Sequence, residues 1–66
     1  MFWYFTIKIT NIYTNRTESI DAESLITPGG YFDAYKKCVD VAKEHIDAKD
    51  QPMAWFISSI SDATAH

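Results

Sequence analysis

The N-terminal segment alternates apolar and polar residues, but only after a run of rings. Ile7 and Ile9 alternate with polar neighbours, whereas Phe2–Phe5 places aromatic rings on both sides of the chain. A period of two is typical of a strand with one buried face, and β-branched and aromatic residues favour strands. The pattern predicts a strand at residues 2–13. A turn follows at residues 14–16, where asparagine tolerates left-handed backbone.

A second, weaker alternation predicts a strand at residues 18–25. Ile20 and Ala22 point to one side, and Asp21 and Glu23 point to the other. Acids on an open strand face discourage pairing with other chains, so we expect an edge strand.

Helical periodicity then predicts a helix at residues 31–48. The apolar positions recur at spacings of three and four, with Cys38 widening the stripe; they are Phe32, Tyr35, Val39, Ala42 and Ile46. Two starts are open: Thr27 as the N-cap with Pro28 as the first helical residue, or a loop through Gly30 with the helix beginning at Tyr31.

The last apolar segment predicts a third strand at residues 52–60, and residues 61–66 are expected to be a frayed tail. Both sides of this strand are apolar, so the pattern does not decide which one meets the helix. One side carries Ala54, Phe56 and Ile60, and the other carries Met53, Trp55 and Ile57.

Together these elements predict a single small α+β domain over residues 1–66, of the ββαβ type. A right-handed crossover of helical length can carry the third strand past the first. The expected sheet is three-stranded and antiparallel, in the order 2-1-3, with one helix packed on one face.

One helix leaves the other sheet face uncovered, and exposed apolar patches usually mark interfaces. We expect an interaction surface there, and its residues are Phe2, Tyr4, Trp55, Asp21 and Glu23. The alternative is that the strand ends wrap around the helix ends and bury these rings internally. A chain of 66 residues with one cysteine has no internal disulfide to stabilise it. We therefore expect a homodimer, formed through the uncovered sheet face or through an edge strand.

Composition excludes several classes of function. The net charge of −3 and the scattered lysines argue against a nucleic-acid phosphate binder. No segment is apolar enough to act as a signal peptide or to span a membrane. A cytoplasmic protein with a reduced thiol is the simplest expectation.

Candidate chemistry is weak throughout, so we expect no enzyme, cofactor or metal. Cys38 and His45 would lie about 10 Å apart along a helix, too far for a thiolate–imidazole pair. Asp21 and Glu23 lack a pocket that could separate their pKa values. Pro28-Gly29-Gly30 resembles an anion loop only in its glycines, and a turn explains it better.

We therefore expect a non-enzymatic protein–protein interaction module that acts through an aromatic sheet face. By analogy with short acidic domains of phages and mobile elements, it could inhibit a host defence protein. The alternatives are a small structural subunit of a larger assembly and a single-stranded nucleic-acid binder. An acidic helix face could also meet a basic partner; it comprises Asp33, Asp40, Glu44 and Asp47.

Overall fold

The computed structural model describes residues 2–65, with side chains to residue 63. Its elements, in chain order, are β1 (Phe2–Asn11), β2 (Thr17–Leu25), α1 (Gly30–Asp47), a 3₁₀ turn (Pro52–Ala54) and β3 (Trp55–Ala65). The sheet order is β2-β1-β3 and both pairings are antiparallel. The predicted fold class is therefore confirmed.

β1 ends at Asn11 rather than at residue 13, because the Asn11 side chain starts the turn. The backbone N–H groups of Tyr13 and Thr14 donate to Asn11 Oδ1 at 2.8 and 3.1 Å. Asn15 then adopts a left-handed φ of 60° and donates its N–H to the Asn11 carbonyl at 2.9 Å. This local hydrogen bonding replaces two residues of strand that the apolar pattern predicted.

The helix begins at Gly30, close to the second of the two predicted starts. Thr27 is not the N-cap: the cap position is Gly29, without a side-chain hydrogen bond. Gly30 has a φ of +70°, which few other residues adopt, and its N–H donates to the Thr27 carbonyl at 2.8 Å. The two glycines therefore serve the turn between β2 and α1.

The buried stripe of α1 differs from the predicted one. Ala34, Cys38 and Ala42 are the buried helix residues, whereas Phe32 is 78% exposed. Small side chains spaced four residues apart let the helix backbone approach the sheet closely, and a large ring in that stripe would hold it away. Tyr35 and Ile46 pack at the sides of this contact.

Most of the core comes from the central strand. Phe5, Ile7 and Ile9 of β1 are each no more than 1% exposed, and Ile20 of β2 lies beside them. These side chains form one cluster with the small residues of α1. The helix packs chiefly on β1 and β2 and touches β3 at few positions.

β3 contains a bulge that changes which of its residues face the helix. Ser59 pairs with Lys8 and Ile57 pairs with Ile9, which leaves Ser58 as the extra residue. Ile57 and Ile60 therefore lie on the same, helix-side face, although their spacing of three predicts opposite faces. The strand begins at Trp55 and not at residue 52 as predicted, because residues 52–54 form the 3₁₀ turn. It continues to Ala65, because the full length of β1 pairs with it, so the expected tail at residues 61–65 is wrong. His66 lies outside the described residues.

Candidate interaction surface

The sheet face turned away from α1, here called the open face, is polar in its middle and aromatic at its ends. Strand alternation and the observed register place hydroxyl groups along its central part. Ser58 Oγ donates to the Lys8 carbonyl at 3.1 Å, and Ser61 Oγ donates to the Thr6 carbonyl at 3.4 Å. This central part is hydrogen-bonded and hydrophilic, so the apolar contacts available to a partner lie at the ends.

Phe2 and Tyr4 form the aromatic end of the open face. Their ring centroids are 6.2 Å apart and the ring planes are inclined by 46°. The two side chains are 36% and 39% exposed, so each ring is partly covered by the chain itself and partly open to solvent. Leu25, directly opposite Phe2 on β2, is 58% exposed and extends the apolar surface.

Two acids lie on β2 at this end of the open face. Glu23 is the cross-strand neighbour of Tyr4, and Asp21 is the neighbour of Thr6. Thr6 Oγ1 donates to Asp21 Oδ1 at 3.1 Å, which orients that carboxylate on the open face. Tyr4, Asp21 and Glu23 also border a surface depression of about 500 Å³. The result is an aromatic spot with a negative rim.

Trp55, the remaining residue of the predicted set, lies elsewhere. It pairs with Asn11 at the opposite end of β1 and contributes to the helix-side cluster. Lys49 Nζ sits 4.6 Å from the centre of its ring and also forms an ion pair with Glu18. The structure thus brings Phe2, Tyr4, Asp21 and Glu23 together and separates Trp55 from them. Phe56, 46% exposed, is the ring that β3 places on the open face.

Sequence reasoning missed several apolar residues near Phe2. Leu25 ends β2, Ile26 follows it and Phe32 lies in the first turn of α1, so all three are at the end of the molecule where β1 begins. Their exposed fractions are 58%, 37% and 78%. Two consecutive large apolar residues at the end of a strand were the available signal, since alternation would have placed one of them inward.

A second ring cluster on the helix side supports this end of β1. The Trp3 and Tyr31 rings meet edge-on with centroids 5.2 Å apart, and Tyr31 stacks on Tyr35 at 6.0 Å. Phe5 joins the same cluster, 5.6 Å from Tyr31. Hydrogen bonding to Asp62 raises the pKa of the Tyr31 hydroxyl above its ordinary value. These contacts hold the start of β1, and with it Phe2 and Tyr4, in a defined position.

The two remaining candidate reactive residues, Cys38 and His45, lie seven residues apart on α1. Cys38 is buried under the sheet, and desolvation raises the pKa of its thiol. His45 lies on the rim of a shallow depression of about 330 Å³ beside Glu18 and Lys49. Among residues 2–65, no three His, Cys, Asp or Glu side chains are placed to share a metal ion.

The one α-helix of the described chain is too polar to cross a membrane. Comparison of the chain with known protein families, with curated proteins and with solved structures finds no match.

Proposed function

We propose that this protein is a non-enzymatic interaction module that binds another protein through the aromatic end of its open face. The observation that carries the proposal is the half-exposed ring pair of Phe2 and Tyr4 with Glu23 directly opposite Tyr4. Rings that are already held by their own chain lose little entropy on binding, and aromatic residues are common energetic anchors of interfaces.

The chemistry of this end defines the partner that it fits. Phe2 and Tyr4 would fill an apolar depression, and Asp21 and Glu23 would face Lys or Arg residues at its rim. Proteins that handle nucleic acid present such basic surfaces. An inhibitor of a nucleic-acid-processing host defence protein, acting in the cytoplasm, is therefore the form of the proposal that we favour over a structural subunit.

The proposal is tested by capture from the source cell with matched variants. The tagged chain is compared with Phe2→Ser/Tyr4→Ser and with Phe56→Ser, which removes an exposed ring from the other end of the same face. We expect the double variant to lose the captured partner while Phe56→Ser retains it. Far-UV circular dichroism of each variant establishes that the fold is intact.

Charge reversal provides the second arm of the test. Asp21→Lys/Glu23→Lys should weaken capture at least about tenfold and reduce its sensitivity to salt, because it removes the negative rim. Capture that survives the loss of both rings in a folded chain would overturn the proposal. So would salt-sensitive retention of short single-stranded oligonucleotides, which would favour a nucleic-acid binder.

A further inference from the structure

The helix covers the sheet unevenly and leaves β3 incompletely shielded. α1 lies over β1 and β2, whose Phe5, Ile7, Ile9 and Ile20 are buried. The corresponding β3 row, consisting of Trp55, Ile57 and Ile60, is only partly buried although it packs against the same core. An apolar row that continues the core to the edge of a sheet is a surface that a further layer can complete.

The two edges of the sheet differ in charge. β2 carries Glu18, Asp21 and Glu23 within its span, so a second β2 alongside it would place acids against acids. β3 carries Asp62 as its one charged residue and contains no proline or glycine. Natural edge strands are usually protected by charge or proline, and β3 lacks both over residues 55–61.

The bulge in β3 defines a register in which this edge is self-complementary. In antiparallel self-pairing, side chains match only when helix-side residues lie opposite helix-side residues. With a two-fold axis between Ser58 and Ser59, Ile57 of one copy lies opposite Ile60 of the other. Trp55 then lies opposite Asp62, and Phe56 lies opposite Ser61. Because Ser58 is the extra residue, a shift of one residue from this register puts residues of opposite faces side by side.

We propose that a second copy of this chain pairs its β3 with this β3, antiparallel, about that axis. Two three-stranded sheets then form one continuous sheet, β2-β1-β3-β3-β1-β2, with both helices on the same side. The two partly buried rows meet in the groove between the helices and bury each other. This interaction uses the β3 edge of the sheet, whereas the proposed partner binds the aromatic end of the open face. It therefore goes beyond the function proposed above.

The same arrangement limits assembly to two copies. After pairing, the free edges of the sheet are the two β2 strands, which carry the acids. An isologous two-fold contact closes on itself, and the charged outer edges discourage further strand addition. Phe2 and Tyr4 remain accessible on the open face of each copy.

Two serines provide a matched test, because Ser59 on β3 and Ser19 on β2 are both exposed and both directly opposite Lys8. Ser59→Lys and Ser19→Lys therefore add the same repulsion from Lys8 within one chain. Only Ser59→Lys adds like charges across the proposed axis. Sedimentation equilibrium of the full chain should show a dimer for the wild type and for Ser19→Lys. We expect a dissociation constant at least about tenfold higher for Ser59→Lys.

Cysteine cross-linking tests the register itself. Under mild oxidation Ser59→Cys should form a covalent dimer, since Cα atoms beside a two-fold axis come within disulfide range, and Ser19→Cys should not. Cys38 is buried and provides the unreactive background. A monomeric wild type at about 100 µM, well above the dissociation constants of stable dimers, would overturn the proposal. Equal effects of the two lysine variants, or cross-linking through Ser19→Cys, would do so too.

Discussion

The ammonium group of Lys49 lies 4.6 Å from the centre of the Trp55 ring, just beyond the end of α1. The same ammonium group forms an ion pair with Glu18 at the start of β2. Lys49 thus connects the end of the helix with both outer strands. Trp55 is the one predicted interaction residue that the structure places away from the open face.

Replacing Lys49 removes both contacts at once. Lys49→Met keeps most of the aliphatic stem but removes the charge, so both the cation–π contact and the ion pair are lost. We expect the free energy of unfolding to fall by about 1 kcal/mol, measured by urea denaturation. Tryptophan emission should shift in the folded state, because the charge beside Trp55 is gone.

Glu18→Gln is the matched control, since it removes the ion pair and leaves Lys49 over the ring. It should cost no more than about 0.5 kcal/mol, because exposed ion pairs contribute little. A Glu18→Gln variant as destabilised as Lys49→Met would mean that the cation–π contact contributes nothing.

The close contact between α1 and the sheet predicts intolerance of larger side chains in its centre. Ala42 is fully buried, so Ala42→Leu should destabilise the protein by about 1–3 kcal/mol through overpacking. Phe32→Ala, in the same helix but on a 78% exposed side chain, should change the stability by no more than about 0.5 kcal/mol. Ala42 belongs to both stripes, so thermal or urea unfolding of Phe32→Ala is the measurement that distinguishes the observed stripe from the predicted one, in which Phe32 would be a costly position.

The hairpin turn depends on left-handed backbone at Asn15, whose φ is 60°. Asn15→Ala should lower the free energy of unfolding by about 1 kcal/mol, because a Cβ without a polar side chain disfavours that conformation. Asn15→Gly adopts the same φ without strain and should match or exceed the wild type. Equal losses in both variants would assign the effect to the side chain of Asn15 instead of its backbone conformation.

Stability should fall in alkaline solution as the thiol of Cys38 becomes able to ionise in the unfolded chain. Burial raises the pKa of this thiol above its ordinary value of 9.0, so the folded chain keeps its proton to higher pH than the unfolded chain does. The contribution of the protonated thiol to the free energy of unfolding is complete below that ordinary value. It is lost as the pH rises through the pKa that the thiol has in the folded chain. Urea midpoints measured from pH 7 to pH 10 should therefore decline.

Two variants show how much of the decline in stability each titrating group causes. Cys38→Ala should flatten the slope around pH 9, whatever its cost at neutral pH. Tyr31→Phe should flatten it only above pH 10, because hydrogen bonding to Asp62 raises the pKa of Tyr31 from an ordinary value of 10.0. A Cys38→Ala protein with an unchanged slope would show that the thiol does not titrate differentially.

The sequence pattern alone predicted the type and order of the strands and the helix. It also predicted most residues of the proposed surface. Alternation assigned Phe2, Tyr4, Asp21 and Glu23 to one side of their strands, and the observed register places them on one face. Trp55 could not be assigned this way, because a bulge at Ser58 changes the side on which the apolar residues of β3 lie. A bulge is specified by pairing with β1, and no residue type within β3 announces it.

Hydrophobic periodicity encodes the ββαβ order in this chain, because each element must bury one face and its apolar residues repeat with the period of that element. Packing decided the rest. The helix rests on Ala34, Cys38 and Ala42 and leaves Phe32 outside, because closeness to the sheet depends on how small the contact residues are, and periodicity does not weigh size. The offset of α1 toward β2, which leaves the β3 row partly open, is likewise a result of tertiary packing.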